Sequence, residues 1–414
     1  MVPTFPRMKT YKTPLLFASL MALILAALLV RQSFFHHAPR APASAAPAGA
    51  PAPGRVNADD FPSLQAAVDA LEKTGGEVRL SACTYILDKP VVLSQRIRFQ
   101  GVMDSKVRAS VTLIKSSPRF VGDWLFVTKA TPAKVNEDLN RDIMFFDLDL
   151  SGSETVGGIR ADNADVLRME RCRLANMKNG VLVAQVTDLP RPWHWEISPG
   201  GSFINNCIFR CSGTAIQLEY ATQNRIYSNW FVSGGKTALH IKNSDKTWFF
   251  ANELNAVSDA SILIEDDGLP GNAVADIFLS MNWICVNDVK AKFLDLRPNG
   301  KPFKRVQFIN NSLVGPGALD AAALAADLGN RFSGNTGTQS GLLSESSGRF
   351  EIQAATSVVK IDHSLFRAPT HVGITFECEP PAYWVSAIDA KSFTVSFSRP
   401  FTGGAFTWSA ITSP

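Results

Sequence analysis

TALHIKN (Thr237–Asn243) decides the fold because it does not stand alone. TAIQLEY (Thr214–Tyr220) precedes it by 23 residues, and SILIED (Ser261–Asp266) follows ALHIKN at the same interval. Working outward, six segments align: IRADN (Ile159–Asn163), LVAQV (Leu182–Val186), IQLEY (Ile216–Tyr220), LHIKN (Leu239–Asn243), ILIED (Ile262–Asp266) and LDLRP (Leu294–Pro298). Their first and third positions are apolar and their second and fourth mostly polar, the period-two pattern of a half-buried strand. A second marker keeps step. Asn206, Asn229, Asn252, Asn282 and Asn311 each lie two residues before an apolar residue, at intervals of 23, 23, 30 and 29. One strand and one fixed marker per repeat, with insertions in some repeats, is the signature of a solenoid.

The LxxLxLxxN signature of leucine-rich repeats is absent, and a right-handed parallel β-helix fits better. Equivalent residues would then stack about 4.8 Å apart. Asn side chains at a turn could bridge from coil to coil. Upstream, FPSLQAAVDALEKTGG (Phe61–Gly76) places Leu64, Ala67, Val68 and Leu71 at helical spacing and stops at Gly75-Gly76. The short pieces EVRL, TYIL, VVL and IRFQG follow and read as strands.

Asp59-Asp60-Phe61 through Gly101, with DD before the helix, LQAAVDAL within it, and GGEVRL, TYIL and IRFQG after it, resembles a known fold. It is similar to the N-terminal portion of the pectate-lyase-like β-helix family of rhamnogalacturonase and epimerase type. SACTY (Ser81–Tyr85) departs from the family's Pro-x-Gly-x-Tyr turn. The resemblance implies a fold more than an activity.

After Gly317 the repeats fade. ALDAAALAADLG (Ala318–Gly329) reads as a short helix and TGTQSGLLSESSG (Thr336–Gly348) as a linker. Strand-like runs then suggest a small all-β sandwich. YWVSAIDAKSFTVSFSRPFTGGAFTW (Tyr383–Trp408) is similar to C-terminal β-domains of phage-tail-type and surface β-helix proteins. That similarity implies capping, surface binding or assembly into a homotrimer. The expected fold is therefore all-β: a β-helix over residues 57–335 with an N-terminal capping helix, a linker over 336–348 and a β-domain over 349–414.

Hydrophobic residues make up 46% of the 414 and charged residues 19%, which suits a long continuous core. A net charge of +4 and the lack of a Lys/Arg run argue against a nucleic-acid partner and leave polyanionic sugars open. Residues 1–32 carry Arg7, Lys9 and Lys12 ahead of the uncharged run Pro14–Val30. A cleaved signal peptide and an uncleaved membrane anchor both fit. The length of the run, and the distance to Ala43-Ser44-Ala45, favour the anchor. Either reading puts the body outside the cytoplasm. Residues 33–56 are Ala/Pro-rich and read as a stiff spacer. Six cysteines show neither a CxxC pair nor metal-ligand spacing.

The aligned strands place two polar columns side by side. The second positions are Arg160, Val183, Gln217, His240, Leu263 and Asp295; the fourth are Asp162, Gln185, Glu219, Lys242, Glu265 and Arg297. Extra residues in Thr187–Gly201, Asp267–Ala275 and Asn299–Phe303 all follow the same strand, so these loops should wall one face into a groove. The first loop offers Trp193 and Trp195 as sugar-stacking or packing groups, with Arg191 and His194 beside them. A groove of this kind suits a polysaccharide. For β-elimination or epimerisation of a uronic acid, His240 or Lys242 would take the proton, and Arg160 or Arg297 would neutralise the carboxylate. A divalent cation such as calcium could do the same. Glu219 and Glu265 would hold Lys242 charged. For hydrolysis, Glu219 and Glu265 lie two coils, or about 9.6 Å, apart, near the upper end for inverting enzymes. Asp266 or Asp267 could replace Glu265. The Gly-His-Gly of the family's hydrolases is absent. The expected reading is a lyase or epimerase on an acidic extracellular glycan. A hydrolase, a non-catalytic glycan-binding or adhesion protein, and a merely solvated sheet face are the alternatives.

Overall fold

The computed structural model describes residues 54–412, apart from 95, 105–108, 130–141, 187–199, 233–234, 256, 269–273, 300–301, 320–328, 338–344, 364 and 366–367. The basic segment, the apolar run Pro14–Val30 and most of the spacer lie outside the described residues, as do Trp193 and Trp195. Among the described residues no helix is long and apolar enough to cross a membrane.

Three parallel sheets of 11, 10 and 9 strands build the solenoid, visited in a fixed order from Gly76–Arg79 onward. One coil shows the plan. Arg225–Tyr227 joins the first sheet, Trp230–Phe231 the second and Thr237–Lys242 the third, and Asp245–Phe250 then begins the next coil. This is a parallel β-helix, consistent with the right-handed form. Each strand buries alternate residues, as period two requires: Leu239 and Ile241 are fully buried while His240 and Lys242 are only partly so. Like residues stack in the interior. Phe99 and Phe145 stack at 5.2 Å, and Phe209 and Phe231 at 5.1 Å, close to the strand spacing.

The first strand, Gly54–Asn57, already pairs in register with Gly76–Arg79, so the solenoid starts inside the stretch read as spacer. The helix is shorter than the sequence pattern, Leu64–Asp69, and the Ser63 hydroxyl caps it by accepting from the Ala66 amide. Leu64, Ala67, Val68 and Leu71 are buried against the core. Ala318–Leu319, expected to open a helix, is instead a strand of the third sheet. The expected linker is narrower, because Thr336–Gly337 and Glu345–Ile352 are strands.

The asparagine marker is a buried hydrogen-bonded ladder. The backbone amides of Asn229, Asn252, Asn282 and Asn311 each donate to the side-chain oxygen of the next rung, ending at Asn335, at 2.9–3.0 Å. Each side-chain amide in turn donates to a backbone carbonyl, as Asn252 does to Ile226 at 3.1 Å. Asn206 is not a rung. It is exposed with φ 52° in a bend, and the adjacent Cys207 takes the place, its amide donating to Asn229 at 3.0 Å. All six cysteines are free thiols, and burial raises Cys172 well above the usual thiol range.

The C-terminal part forms two three-stranded antiparallel sheets. Phe393, Val395, Phe406 and Ile361 are buried in its own core.

Candidate functional site

The third sheet sets the registers of the two polar columns. Ile216 pairs with Leu239, Leu239 with Ile262, and Ile262 with Leu294. Gln217, His240, Leu263 and Asp295 are thus neighbours in one column, and Glu219, Lys242, Glu265 and Arg297 in the other. One coil differs from the sequence alignment. Val181, not Leu182, pairs with Ile159 and Ile216, so Leu182 and Ala184 occupy the columns instead of Val183 and Gln185. GVLVA is apolar throughout and gives period two no phase. A slip of one residue exchanges the two faces, and the structure buries Val181 and Val183. Gln185 moves to the corner, at the level of Asn163, Tyr220 and Asn243, where its backbone N–H donates to the backbone carbonyl of Glu219. Asn163 and Asn243 close their strands in the left-handed conformation, φ 52° and 47°, which asparagine tolerates.

His240 sits between Gln217 and Leu263 with its side chain 14% exposed. Its Nε2 is 3.0 Å from a carboxylate oxygen of Glu265, close in distance but without the alignment of a full hydrogen bond. Burial lowers the imidazole below its ordinary value; Glu265 and Glu219 pull it back only in part, and Lys242 adds to the lowering. The lowered value favours the neutral imidazole near pH 7; its Nε2 is turned inward against Glu265. Glu219 accepts a hydrogen bond from the Gln217 side-chain amide at 2.7 Å.

Arg160 and Asp162 pair within their own strand, Nε to Oδ2 at 2.7 Å. Asp162 is 2% exposed, and its other oxygen has no hydrogen-bond partner. Burial pushes its carboxyl up, Arg160 opposes this and Glu219 adds to it. Asp162 thus holds Arg160 rather than reaching outward itself. At the opposite end Arg297 donates to Asp295 through both Nε and Nη2, at 2.9 and 2.6 Å, and Lys292 donates to the other Asp295 oxygen. Burial works against ionisation of Asp295, but these two cations outweigh it and hold the carboxyl below its usual value. Arg297 stays exposed. The sheet brings together His240, Glu219, Lys242 and Glu265, with a cation at each end of the columns. Among the described residues no cluster of three or more His, Cys, Asp or Glu is placed to hold a metal ion.

The three insertions do share one place: each joins a strand of the third sheet to the next strand of the first. The first sheet carries what one-strand-per-coil alignment missed. Its outward column runs Arg98, Met144, Arg168, Phe203, Arg225, Trp248, Phe278. The Arg225 guanidinium lies 5.2 Å from the Phe203 ring and 5.7 Å from Trp248, and Trp248 stacks on Phe278 at 5.8 Å. In the adjacent column Tyr227 stacks on Phe250 at 5.1 Å. Among the described residues Arg225 has no carboxylate partner, so its N–H donors are unspent. The signal was present in RIY, TWFF and DIFLS, where aromatic and basic residues occupy the outward phase.

No family model matches the chain, and no curated protein matches it. Among solved structures it is similar to tailspike gp49 from Acinetobacter baumannii bacteriophage Fri1, a capsular polysaccharide depolymerase. Identity is 10% and the TM-score 0.36, over 88% of this chain and 84% of that one. The Acinetobacter baumannii phage AM24 tailspike gives 12% and 0.34, over 85% and 80%. DFA-IIIase from Arthrobacter chlorophenolicus A6 gives 12% and 0.35, over 68% and 93%. Likenesses at this level carry no argument about activity.

Proposed function

We propose that this chain binds an acidic polysaccharide and acts on it as a lyase or epimerase, abstracting the proton next to a uronate carboxylate. The observation that supports this most is His240: a neutral imidazole, held so by burial, beside Glu265 and on a sheet face with Arg160, Lys242 and Arg297. A neutral imidazole is the right form for a general base, and Lys242 on the same strand offers a cation for the uronate carboxylate. Abstraction alone leads to epimerisation after reprotonation from the other face. Expulsion of the C4 oxygen leads to elimination. Unspent donors on Arg225, set among aromatic rings on the first sheet, extend the surface that an acidic chain could grip. The uncharged run Pro14–Val30 and the spacer after it support a site of action outside the cytoplasm.

Incubation with a panel of uronic-acid polymers tests this. Unsaturated or epimerised product is expected from at least one polymer. His240→Ala should lower turnover by about 100-fold or more, the usual scale for loss of a general base, with the folded state intact. Arg225→Ala should weaken binding and flatten its salt dependence. Binding without any product would leave a glycan-binding protein and refute the catalytic reading.

A further inference from the structure

The outer face of the second sheet carries a feature unrelated to that chemistry. Trp230, Glu253 and Trp283 are direct neighbours on three successive strands. Both indoles are unusually open for a sheet face, 44% and 38% exposed. They flank an exposed carboxylate that makes no ion pair among the described residues. One contact fixes it: Asn255 donates from Nδ2 to Glu253 Oε1 at 2.9 Å, and among the described residues the other oxygen has no partner.

The mounting is rigid. Trp230, Glu253 and Trp283 each follow a rung of the buried asparagine ladder, Asn229, Asn252 and Asn282. Their amides donate to Cys207, Asn229 and Asn252 carbonyls at 2.9 Å. Parallel register puts the two tryptophan strands about 9.6 Å apart. The Glu253 strand runs midway, about 4.8 Å from each, so a cation drawn to its carboxylate arrives between two indoles, groups that bind cations over about 6 Å. The charged group between the indoles is the Glu253 carboxylate. An anion would meet its negative charge, and a neutral apolar group would leave it without a partner. A polyalkylated or primary alkylammonium satisfies all three groups at once.

We infer that Trp230, Glu253 and Trp283 form a binding site for an organic ammonium group. The site is independent of the proposed chemistry on the third sheet.

Calorimetric titration of the full chain with tetramethylammonium chloride tests it, with neopentyl alcohol as the uncharged probe of similar shape. Saturable binding is expected for the cation, with a dissociation constant of roughly 1 mM or tighter, and at least tenfold weaker binding for the alcohol. Glu253→Gln should weaken cation binding about tenfold with the melting temperature unchanged, since that side chain is exposed, and Trp283→Ala should weaken it about tenfold with the chain still folded. Three results would overturn the inference: no saturable heat with the cation, equal binding of the alcohol, or a smaller particle by light scattering in Trp230→Ala, which would make the patch an interface between copies.

Discussion

His240 shows how one side chain acquires a role from its coil. Period two put it on the outer face, and register put Gln217 and Leu263 on either side. Burial then lowers its proton affinity more than Glu265 restores it. The unfolded chain carries an ordinary histidine near 6.5. Between that value and the lower folded one, the unfolded state binds more protons. Stability is therefore full above about 6.5 and falls as pH drops towards the folded value. Urea titrations of wild type and His240→Gln between pH 5 and 7.5 should show the wild type losing more stability on acidification; parallel curves would contradict a buried neutral imidazole. Turnover should follow the same group, with its acidic limb centred below 6.5. The pairing of His240 with Glu219, Lys242 and Glu265 was legible from the sequence because ALHIKN and its neighbours alternate cleanly. The lowered proton affinity was not, since it depends on how much of the ring the adjoining coils cover.

At the scale of elements, the ladder holds the turns and the strands follow. Asn252 accepts from Asn229, donates to Asn282 and to the Ile226 carbonyl, and exposes almost nothing to solvent. Asn252→Ala orphans the Asn229 backbone amide in the interior, while the Ile226 carbonyl keeps its place in the sheet ladder. Such a group costs about 1–3 kcal/mol, so chemical denaturation should show a loss of about that size. A loss under about 1 kcal/mol would mean the rungs are not coupled. The regular asparagine intervals are enough to point to this element. Asn206 misleads because it adjoins the true position, where Cys207 stands and composition supplies no marker. Leu182 misleads for a related reason: an unbroken apolar run has no phase, and only pairing of Val181 with Ile159 and Ile216 resolves it.

Across the whole molecule, one coil geometry repeated along three sheets produces three different outer faces. The third sheet gathers His240 with carboxylates and cations, the first alternates arginine with aromatic rings, and the second sets two indoles around a carboxylate. Only the face of the third sheet is legible in the sequence, because one strand per coil is conspicuous enough to align. The other two appear once register fixes which residues of short strands such as RIY and WF are neighbours. Proton abstraction on the third sheet is the central claim, and one measurement reaches it whether the outcome is elimination or epimerisation. The proton NMR spectrum of a uronate polymer, followed in deuterium oxide with the protein present, reports directly on the hydrogen next to the carboxylate. Loss of that H-5 signal with the wild type, and its persistence with His240→Gln, is the predicted result. New reducing ends with H-5 fully retained would contradict it and assign this face to hydrolysis.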